Sequence, residues 1–168
     1  MWFLALLPFF LQAIAIFIDE FHFHIKRGLP KWERIGHPVD TATVILCMGM
    51  VLFVPYTDIT LKIYCALAAL SCLMVTKDEF VHKHFCPASE NWLHAVLFTL
   101  HPLTLITTGF IWPVVQDAAV PKWLTIWLTA PLDLNIFLKI QFSLMILFFI
   151  YQVVFWNFIW KEKIAIKY

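Results

Sequence analysis

Charged residues are scarce in this chain of 168 residues, where Asp, Glu, Lys and Arg together make up 14%. Soluble domains use about 25% charged residues, so this chain has too few to cover a wholly water-facing surface. Hydrophobic residues make up 62%, above the roughly one half that soluble domains contain. The composition therefore argues against an ordinary soluble domain and predicts an integral membrane protein.

Other sequence signals are also absent. The formal net charge is +1 with no basic run, so nothing indicates a nucleic-acid partner. The four cysteines form no CxxC motif, which argues against a thiolate zinc site or a redox pair. Three of them fall in apolar runs, and Cys86 is interpreted as a loop residue before Pro87. No flavin, haem or nicotinamide motif is evident, so a redox enzyme would take its electrons from a separate donor protein.

Five apolar runs have about the length that a helix needs to cross the hydrocarbon core, roughly 20 residues. They are Trp2–Ile18, Val39–Pro55, Ile59–Val75, Trp92–Val115 and Leu132–Trp160. The first lacks a basic n-region and a cleavage site, so it is interpreted as a retained span. These runs predict an all-α integral membrane bundle of about five transmembrane helices, in a single domain over 1–168.

The segment 117–130 differs from its neighbours because prolines flank it and Trp123 and Trp127 lie four residues apart. Tryptophan prefers the membrane–water interface. This segment is therefore predicted to be a short amphipathic helix at the interface, followed by a last helix over 132–160.

Most basic residues fall on one side of a five-span topology. Nine of the twelve do so: Lys26, Arg27, Lys31, Arg34, Lys77, Lys83, Lys161, Lys163 and Lys167. By the positive-inside rule that side is cytoplasmic. The sequence thus predicts an outside N-terminus and a cytoplasmic C-terminus, as in a bacterial inner-membrane protein.

The ionisable residues gather in two matching segments at the cytoplasmic ends of the spans. Each segment has a DEF tripeptide with two histidines near it, followed by an ExxxH pattern. The members are Asp19, Glu20, His22, His24, Glu33 and His37 in the first segment and Asp78, Glu79, His82, His84, Glu90 and His94 in the second. The match predicts two repeated helical hairpins, over 1–56 and 59–115.

Helical spacing places acids and histidines of these segments on common faces, because residues at i and i+3 or i+4 are neighbours. The pairs are Glu20–His24, Glu33–His37, Glu79–His82 and Glu90–His94. Asp19 with His22, and Asp78 with His82, satisfy the same rule, so the pairing on the first helix of each hairpin stays open. Asp19, His22, Asp78 and His84 are interpreted as groups that orient ligands or lie at the surface.

Carboxylates that converge without cations repel one another, so a positive species is expected among them. Imidazoles alternating with carboxylates suit divalent metals. The sequence predicts two divalent ions, with iron expected and zinc or manganese compatible, held by Glu20, His24, Glu33, His37, Glu79, His82, Glu90 and His94. Asp40 and His101 continue the same faces deeper into the membrane and are the candidate catalytic groups. For any single member, a helix cap or a solvated charge is the alternative.

In its chemistry the pattern resembles integral-membrane di-iron oxygenases, hydroxylases and desaturases, which carry histidine boxes at the cytoplasmic ends of membrane helices. The usual HxxxH and HxxHH boxes are absent, and this chain uses more carboxylate. The pairing of Glu with nearby His is also similar to the ferritin-like di-iron proteins. The resemblance covers about a quarter of the chain and implies a metal centre, without assigning ligand roles.

The leading hypothesis is a membrane enzyme that hydroxylates or desaturates a lipid or other hydrophobic substrate with dioxygen. Its pocket would be walled by Phe21, Phe80, Trp92 and Phe98. A zinc-dependent lipid hydrolase with Asp40 as general base is the second hypothesis. A divalent-cation carrier or sensor is the third, since acids and histidines within a membrane also suit an ion path.

Overall fold

The computed structural model describes residues 2–78 and 86–160, apart from the side chain of Asp78. Every regular element in these residues is helical. The helices are α1 (Trp2–Arg27), α2 (Lys31–Phe53), α3 (Asp58–Val75), α4 (Ala88–Val115), α5 (Lys122–Trp127) and α6 (Pro131–Ile159). All but α5 are long and apolar enough to cross a membrane. The all-helical class and the long apolar helices predicted from the sequence are confirmed.

Three of the helices extend beyond the apolar runs that predicted them. Helix α1 continues past Ile18 to Arg27, α2 begins at Lys31 rather than Val39, and α4 begins at Ala88. The polar segments are therefore helical too. The backbone hydrogen bonds of a helix form within the helix itself, so they do not depend on apolar side chains. This extension places the acids and histidines on the walls of the bundle.

Helices α2 and α4 form the centre of the bundle. Helix α2 packs against α3, α4 and α6, and α4 packs against α1, α3 and α6 as well. The short connection between α2 and α3 makes them antiparallel neighbours, and a capping box between Thr57 and Thr60 starts α3. Since α2 and α4 both begin at the same end, their first turns lie side by side.

The apolar core fills the other end of the bundle. It includes Val51, Ile111, Trp112 and Leu134, all fully buried. Helix α5 adds Leu124 and Leu128 to this core. One side of α5 is thus buried, as an amphipathic segment requires, and its Ile126 is 73% exposed.

The surface has the reverse of the pattern of a soluble protein. Large apolar side chains point outward along the long helices, among them Phe53, Ile59, Leu73, Leu132 and Leu147. The acidic side chains of the polar end lie inside, and Glu33 and Glu90 are each 1% exposed. A continuous apolar exterior of this kind is typical of a membrane-contacting surface.

A glycine turn joins α1 to α2. Gly28 has φ 78° and ψ 157°, a region that essentially only glycine occupies. Its N–H donates to the His24 carbonyl at 2.7 Å, and Arg34 Nε donates to the Leu29 carbonyl at 2.7 Å. A Cβ on Gly28 would lie 2.6 Å from Trp160 Cζ2. The turn therefore brings the end of α1 against the start of α2.

We expect Gly28→Ala to lower the free energy of unfolding in detergent by about 1–3 kcal/mol from backbone strain alone, with the clash adding to it. Gly49→Ala is the matched control, because its Cβ would meet Phe142 Cε2 at an ordinary 3.5 Å. Thermal or denaturant unfolding of both variants measures the difference. Equal stability of the two variants would contradict the prediction.

Candidate metal centre

The polar end of α1 is wound as a π-helix over Asp19–His24. In a regular α-helix, with 3.6 residues per turn, side chains five positions apart point about 140° away from each other. The wider π turn lets His24 reach both acids: its Nε2 lies 3.2 Å from Asp19 Oδ2, and its Nδ1 lies 3.2 Å from Glu20 Oε2. Such π segments recur at functional sites.

Helices α2 and α4 begin in the same way. Pro30 and Pro87 cap them with nearly identical dihedral angles, φ −65° and ψ 158° against φ −66° and ψ 156°. Three residues later, the N–H of Glu33 donates to the Pro30 carbonyl and that of Glu90 to the Pro87 carbonyl, both at 3.0 Å. This shared Pro-x-x-Glu start turns both carboxylates inward. The Pro-x-x-Glu pattern is visible in the sequence, although the ligand pairs predicted from the sequence depend only on the ExxxH pattern that follows it.

Four buried side chains from α1 and α4 form a group that could hold a metal ion: Asp19, His24, Glu90 and His94. Asp19 joins the two imidazoles, with its Oδ2 3.2 Å from His24 Nε2 and its Oδ1 3.1 Å from His94 Nε2. Glu90 Oε1 lies 3.8 Å from His24 Nε2. The four ligand atoms all lie within 4.8 Å of one another.

The separations of 3.1 to 3.8 Å lie near the spacing of ligand atoms around a bound metal ion. Metal–ligand bonds of about 2.0–2.2 Å put neighbouring ligand atoms about 3.3–3.6 Å apart, which is within the range seen here. His24 Nε2 is buried and makes no hydrogen bond inside the part of the chain that the structure describes. The nitrogen faces carboxylate oxygens of the same group, Asp19 Oδ2 at 3.2 Å and Glu90 Oε1 at 3.8 Å.

A second group of three residues, His24, Glu33 and His37, shares its first member with the four-residue group. The rings of His24 and His37 lie 5.0 Å apart, and His37 Nε2 is 4.0 Å from Glu33 Oε2. Arg27 contacts both glutamates: its Nη2 donates to Glu33 Oε2 at 2.9 Å and to Glu90 Oε1 at 3.0 Å. A guanidinium thus supplies positive charge between two of the predicted ligands.

Glu20 is held by the last helix. Trp156 Nε1 donates to Glu20 Oε1 at 2.7 Å, and the Tyr151 hydroxyl donates to the same oxygen at 2.9 Å. Trp156 lies in a π-helical end of α6, Phe155–Ile159. Helix α6 therefore completes the site from outside the two hairpins.

The structure brings together six of the eight predicted ligands. Glu20, His24, Glu33, His37, Glu90 and His94 converge at one end of the bundle. The other two, Glu79 and His82, lie outside the described residues, as does His84. Asp19, interpreted from the sequence as an orienting or surface group, stands within the four-residue group. His22 is exposed beside Lys26, with Nδ1 and Nζ 3.1 Å apart.

A cavity of about 120 Å³ opens beside the centre. Asp19, His24 and His94 form part of its wall, and the apolar part includes Phe98 and Phe148. Phe98 thus lies where the sequence predicted a pocket wall. Trp92 is 70% exposed and Phe21 is 45% exposed, so these two side chains face outward, while Phe80 lies outside the described residues.

The two candidate catalytic groups also border the cavity, each with its own partners. Both oxygens of Asp40 accept from Lys77 Nζ, at 2.7 and 2.6 Å. His101 is buried, with Nε2 2.9 Å from Ser71 Oγ and Nδ1 3.3 Å from Gln12 Nε2. Asp40 is therefore an ion-paired carboxylate rather than an open one.

The hydrogen bonds around His101 fix its tautomer. Thr43 gives its hydroxyl hydrogen to the Asp40 carbonyl, so Ser71 must donate to Thr43 at 2.7 Å. Ser71 Oγ then accepts from His101 Nε2–H, and Nδ1 must accept from the Gln12 amide. Each of the two hydroxyls has one hydrogen to give. His101 is thus held as a neutral imidazole protonated on Nε2.

Cys86 lies just before Pro87 and is half-buried. Burial, together with the nearby carboxylate of Glu90, raises the pKa of the Cys86 thiol to about 12, although Arg27 opposes the shift. The thiol is therefore protonated at neutral pH. Cys86 lies in a bend before the first residue of α4, as its interpretation as a loop residue before Pro87 predicted.

No protein-family model, no curated protein and no solved structure matches this chain.

We expect Trp156→Phe to destabilise the protein by about 1.5–3 kcal/mol, because it removes a hydrogen bond to a buried carboxylate. Tyr151→Phe is the control, since it removes the second donor to the same oxygen from a less buried position and should cost less. Unfolding in detergent would be measured in the native and the Glu20→Met backgrounds, since methionine has no oxygen to accept from Trp156. If the cost of Trp156→Phe is the same in both backgrounds, the hydrogen bond does not contribute.

Proposed function

We propose that this protein is an integral membrane protein whose metal centre lies at the cytoplasmic end of its bundle. The apolar exterior of the long helices and the buried carboxylates support membrane insertion. Lys26, Arg27, Lys31, Arg34 and Lys77 all lie at the end that carries the centre. The positive-inside rule assigns that end to the cytoplasm, as in a bacterial inner membrane.

This orientation predicts opposite labelling of two exposed positions at the two ends. In a chain whose native cysteines are replaced by alanine, Asp117→Cys should react with a membrane-impermeant maleimide in intact spheroplasts. Lys31→Cys should react only after the membrane is permeabilised. The reverse labelling pattern would overturn the orientation. Labelling of both positions in intact spheroplasts would argue against a bundle that spans the membrane.

We further propose that the protein is a metal-dependent oxidoreductase, a hydroxylase or desaturase that acts on a lipid or other hydrophobic substrate. One observation carries this proposal: three members of the buried group of two imidazoles and two carboxylates, Asp19, His24 and His94, form part of the wall of a cavity whose remainder includes apolar side chains. Histidine and carboxylate ligands suit iron, with zinc and manganese also compatible. The apolar wall suits a hydrocarbon group rather than a charged one.

Bound iron would supply dioxygen activation at this position. Hydroxylation of a C–H bond consumes one dioxygen, two electrons and two protons and yields the alcohol and one water. Desaturation consumes the same reactants and yields an alkene and two waters. The electrons would come from a separate one-electron carrier protein at the cytoplasmic face, because the sequence shows no flavin, haem or nicotinamide motif.

The residues around the centre would position the substrate and the ligands. Phe98 and Phe148 would contact the apolar substrate and exclude water. Trp156 and Tyr151 fix the carboxylate of Glu20, which in turn accepts from His24. Holding ligand side chains in one orientation in this way strengthens a metal site.

The two other functions considered from the sequence are less well supported. A hydrolase would use Asp40 as its general base, and that carboxylate is engaged by Lys77 through both oxygens. A cation carrier needs a polar route through the bundle, and the end opposite the centre is filled by the apolar core around Ile111 and Trp112. Iron chemistry at the cavity wall therefore remains the better proposal.

The proposal is tested by metal content and by oxygen-dependent turnover. Purified protein should contain iron, and membranes that contain it should consume dioxygen while oxidising a lipid, with lipid products followed by mass spectrometry. His24→Ala should lose at least tenfold in metal affinity and all turnover, because it removes a ligand. His22→Ala, two residues away and exposed, should change neither.

Two results would overturn the proposal. Native protein that holds no metal after expression in iron-supplemented medium would remove the metal centre. Zinc-loaded protein that hydrolyses lipids without dioxygen would replace oxidation by hydrolysis.

A further inference from the structure

The second candidate group, His24, Glu33 and His37, is already engaged by a cation. Arg27 Nη2 donates to Glu33 Oε2 at 2.9 Å and to Glu90 Oε1 at 3.0 Å, and its Nη1 donates to Glu33 Oε1 at 3.4 Å. Both carboxylates are 1% exposed, and the Arg27 side chain is 22% exposed. One guanidinium thus links the carboxylate of the second group to that of the four-residue group.

In a dinuclear centre, the second ion would bind the carboxylate oxygens that this guanidinium contacts. Glu33 begins α2 and Glu90 begins α4, and the shared Pro-x-x-Glu start turns both toward the same point. The guanidinium uses both oxygens of Glu33 in a bidentate pair, the geometry in which arginine binds carboxylate best. A second ion on the same oxygens would have to displace it.

From these contacts we infer that the centre binds one divalent ion, at Asp19, His24, Glu90 and His94, and that Arg27 provides the second positive charge as a fixed part of the protein. The inference rests on the metal centre of the proposed function and replaces the two ions predicted from the sequence by one ion and one guanidinium.

One divalent ion together with Arg27 leaves the buried groups close to neutral. Asp19, Glu20, Glu33 and Glu90 contribute four negative charges, while Arg27 and one divalent ion contribute one and two positive charges. A second divalent ion beside Arg27 would change the net charge from −1 to +1 and place two cations in contact with the same glutamates. Repulsion between cations at such short range is strong away from bulk water.

Arg27 is also fixed from the backbone. The Gly28 turn directly after it ends α1, and the buried Leu29 and the capping Pro30 lead straight into α2. Only three residues, Gly28 to Pro30, therefore separate the helix that carries Arg27 from the helix that carries Glu33. Such a short connection favours a built-in cation over one recruited from solution.

The test is the number of Mn²⁺ ions bound per chain, measured on full-length protein in detergent by elemental analysis after dialysis and by electron paramagnetic resonance. Native protein should bind one ion with the signal of an isolated Mn²⁺. Arg27→Gln should bind two ions and show the signal of a coupled pair, because it frees Glu33 and Glu90. Arg27→Lys should stay at one.

Lys26→Gln is the matched control, since it removes a neighbouring exposed charge that contacts only His22 among the described residues, and it should stay at one ion. If Arg27→Gln does not fold, Glu33→Gln decides the question. With a single ion outside the second group, Glu33→Gln should still bind one Mn²⁺ per chain.

Two ions in the native protein that fall to one in Glu33→Gln would overturn the inference, and so would an Arg27→Gln variant that folds and still binds one. These outcomes are separate from those that test the proposed function. A protein that binds one Mn²⁺ but oxidises no lipid would support the single-ion inference and contradict the proposed oxidoreductase activity. A native protein that binds no metal would lose both.

Discussion

The neutralisation of four buried carboxylates is the constraint on which the polar end of this bundle depends. Asp19, Glu20, Glu33 and Glu90 lie among helices whose outer surfaces are apolar, and their mutual repulsion would separate those helices. Each acid has a partner from another element or another turn: His24 and His94 for Asp19, Trp156 for Glu20, Arg27 for Glu33 and Glu90. These partners come from α1, α4 and α6, so closing the polar end also assembles the bundle.

Such a network gives the proposed metal centre its rigidity and connects it to the rest of the fold. The Trp156–Glu20 hydrogen bond links α6 to α1, and the Arg27–Glu90 pair links α1 to α4. Buried polar networks of this kind hold their members in one arrangement when all are satisfied. At the opposite end, apolar packing around Trp112 closes the bundle without charge. One end is thus specified by polar pairing, and the other by side-chain volume.

The long helices, the gathering of the described parts of the polar segments at one end and the Glu20–His24 and Glu33–His37 pairs were predictable, because hydropathy and helical spacing depend on near neighbours in the sequence. Asp19 was not, because regular α-helical spacing puts it on a different face from His24. Trp156 lies 136 residues from Glu20, and nothing local marks an aromatic donor for a distant acid. For Arg27 the sequence predicts only a positive charge on the cytoplasmic side, because its two glutamate partners meet only when α1, α2 and α4 pack together.

The π turn at Asp19–His24 also separates the two parts of α1 in rotation. Compared with an α-helix of the same path, it contains one extra residue, and a single residue turns an α-helix by about 100°. The part of α1 before Ile18 can therefore expose Phe10, Ile14 and Phe17 on its outer face, while the part after it directs His24 inward. Without that offset, a continuous α-helix could not place its apolar side chains on the outer face and also place His24 beside Glu90.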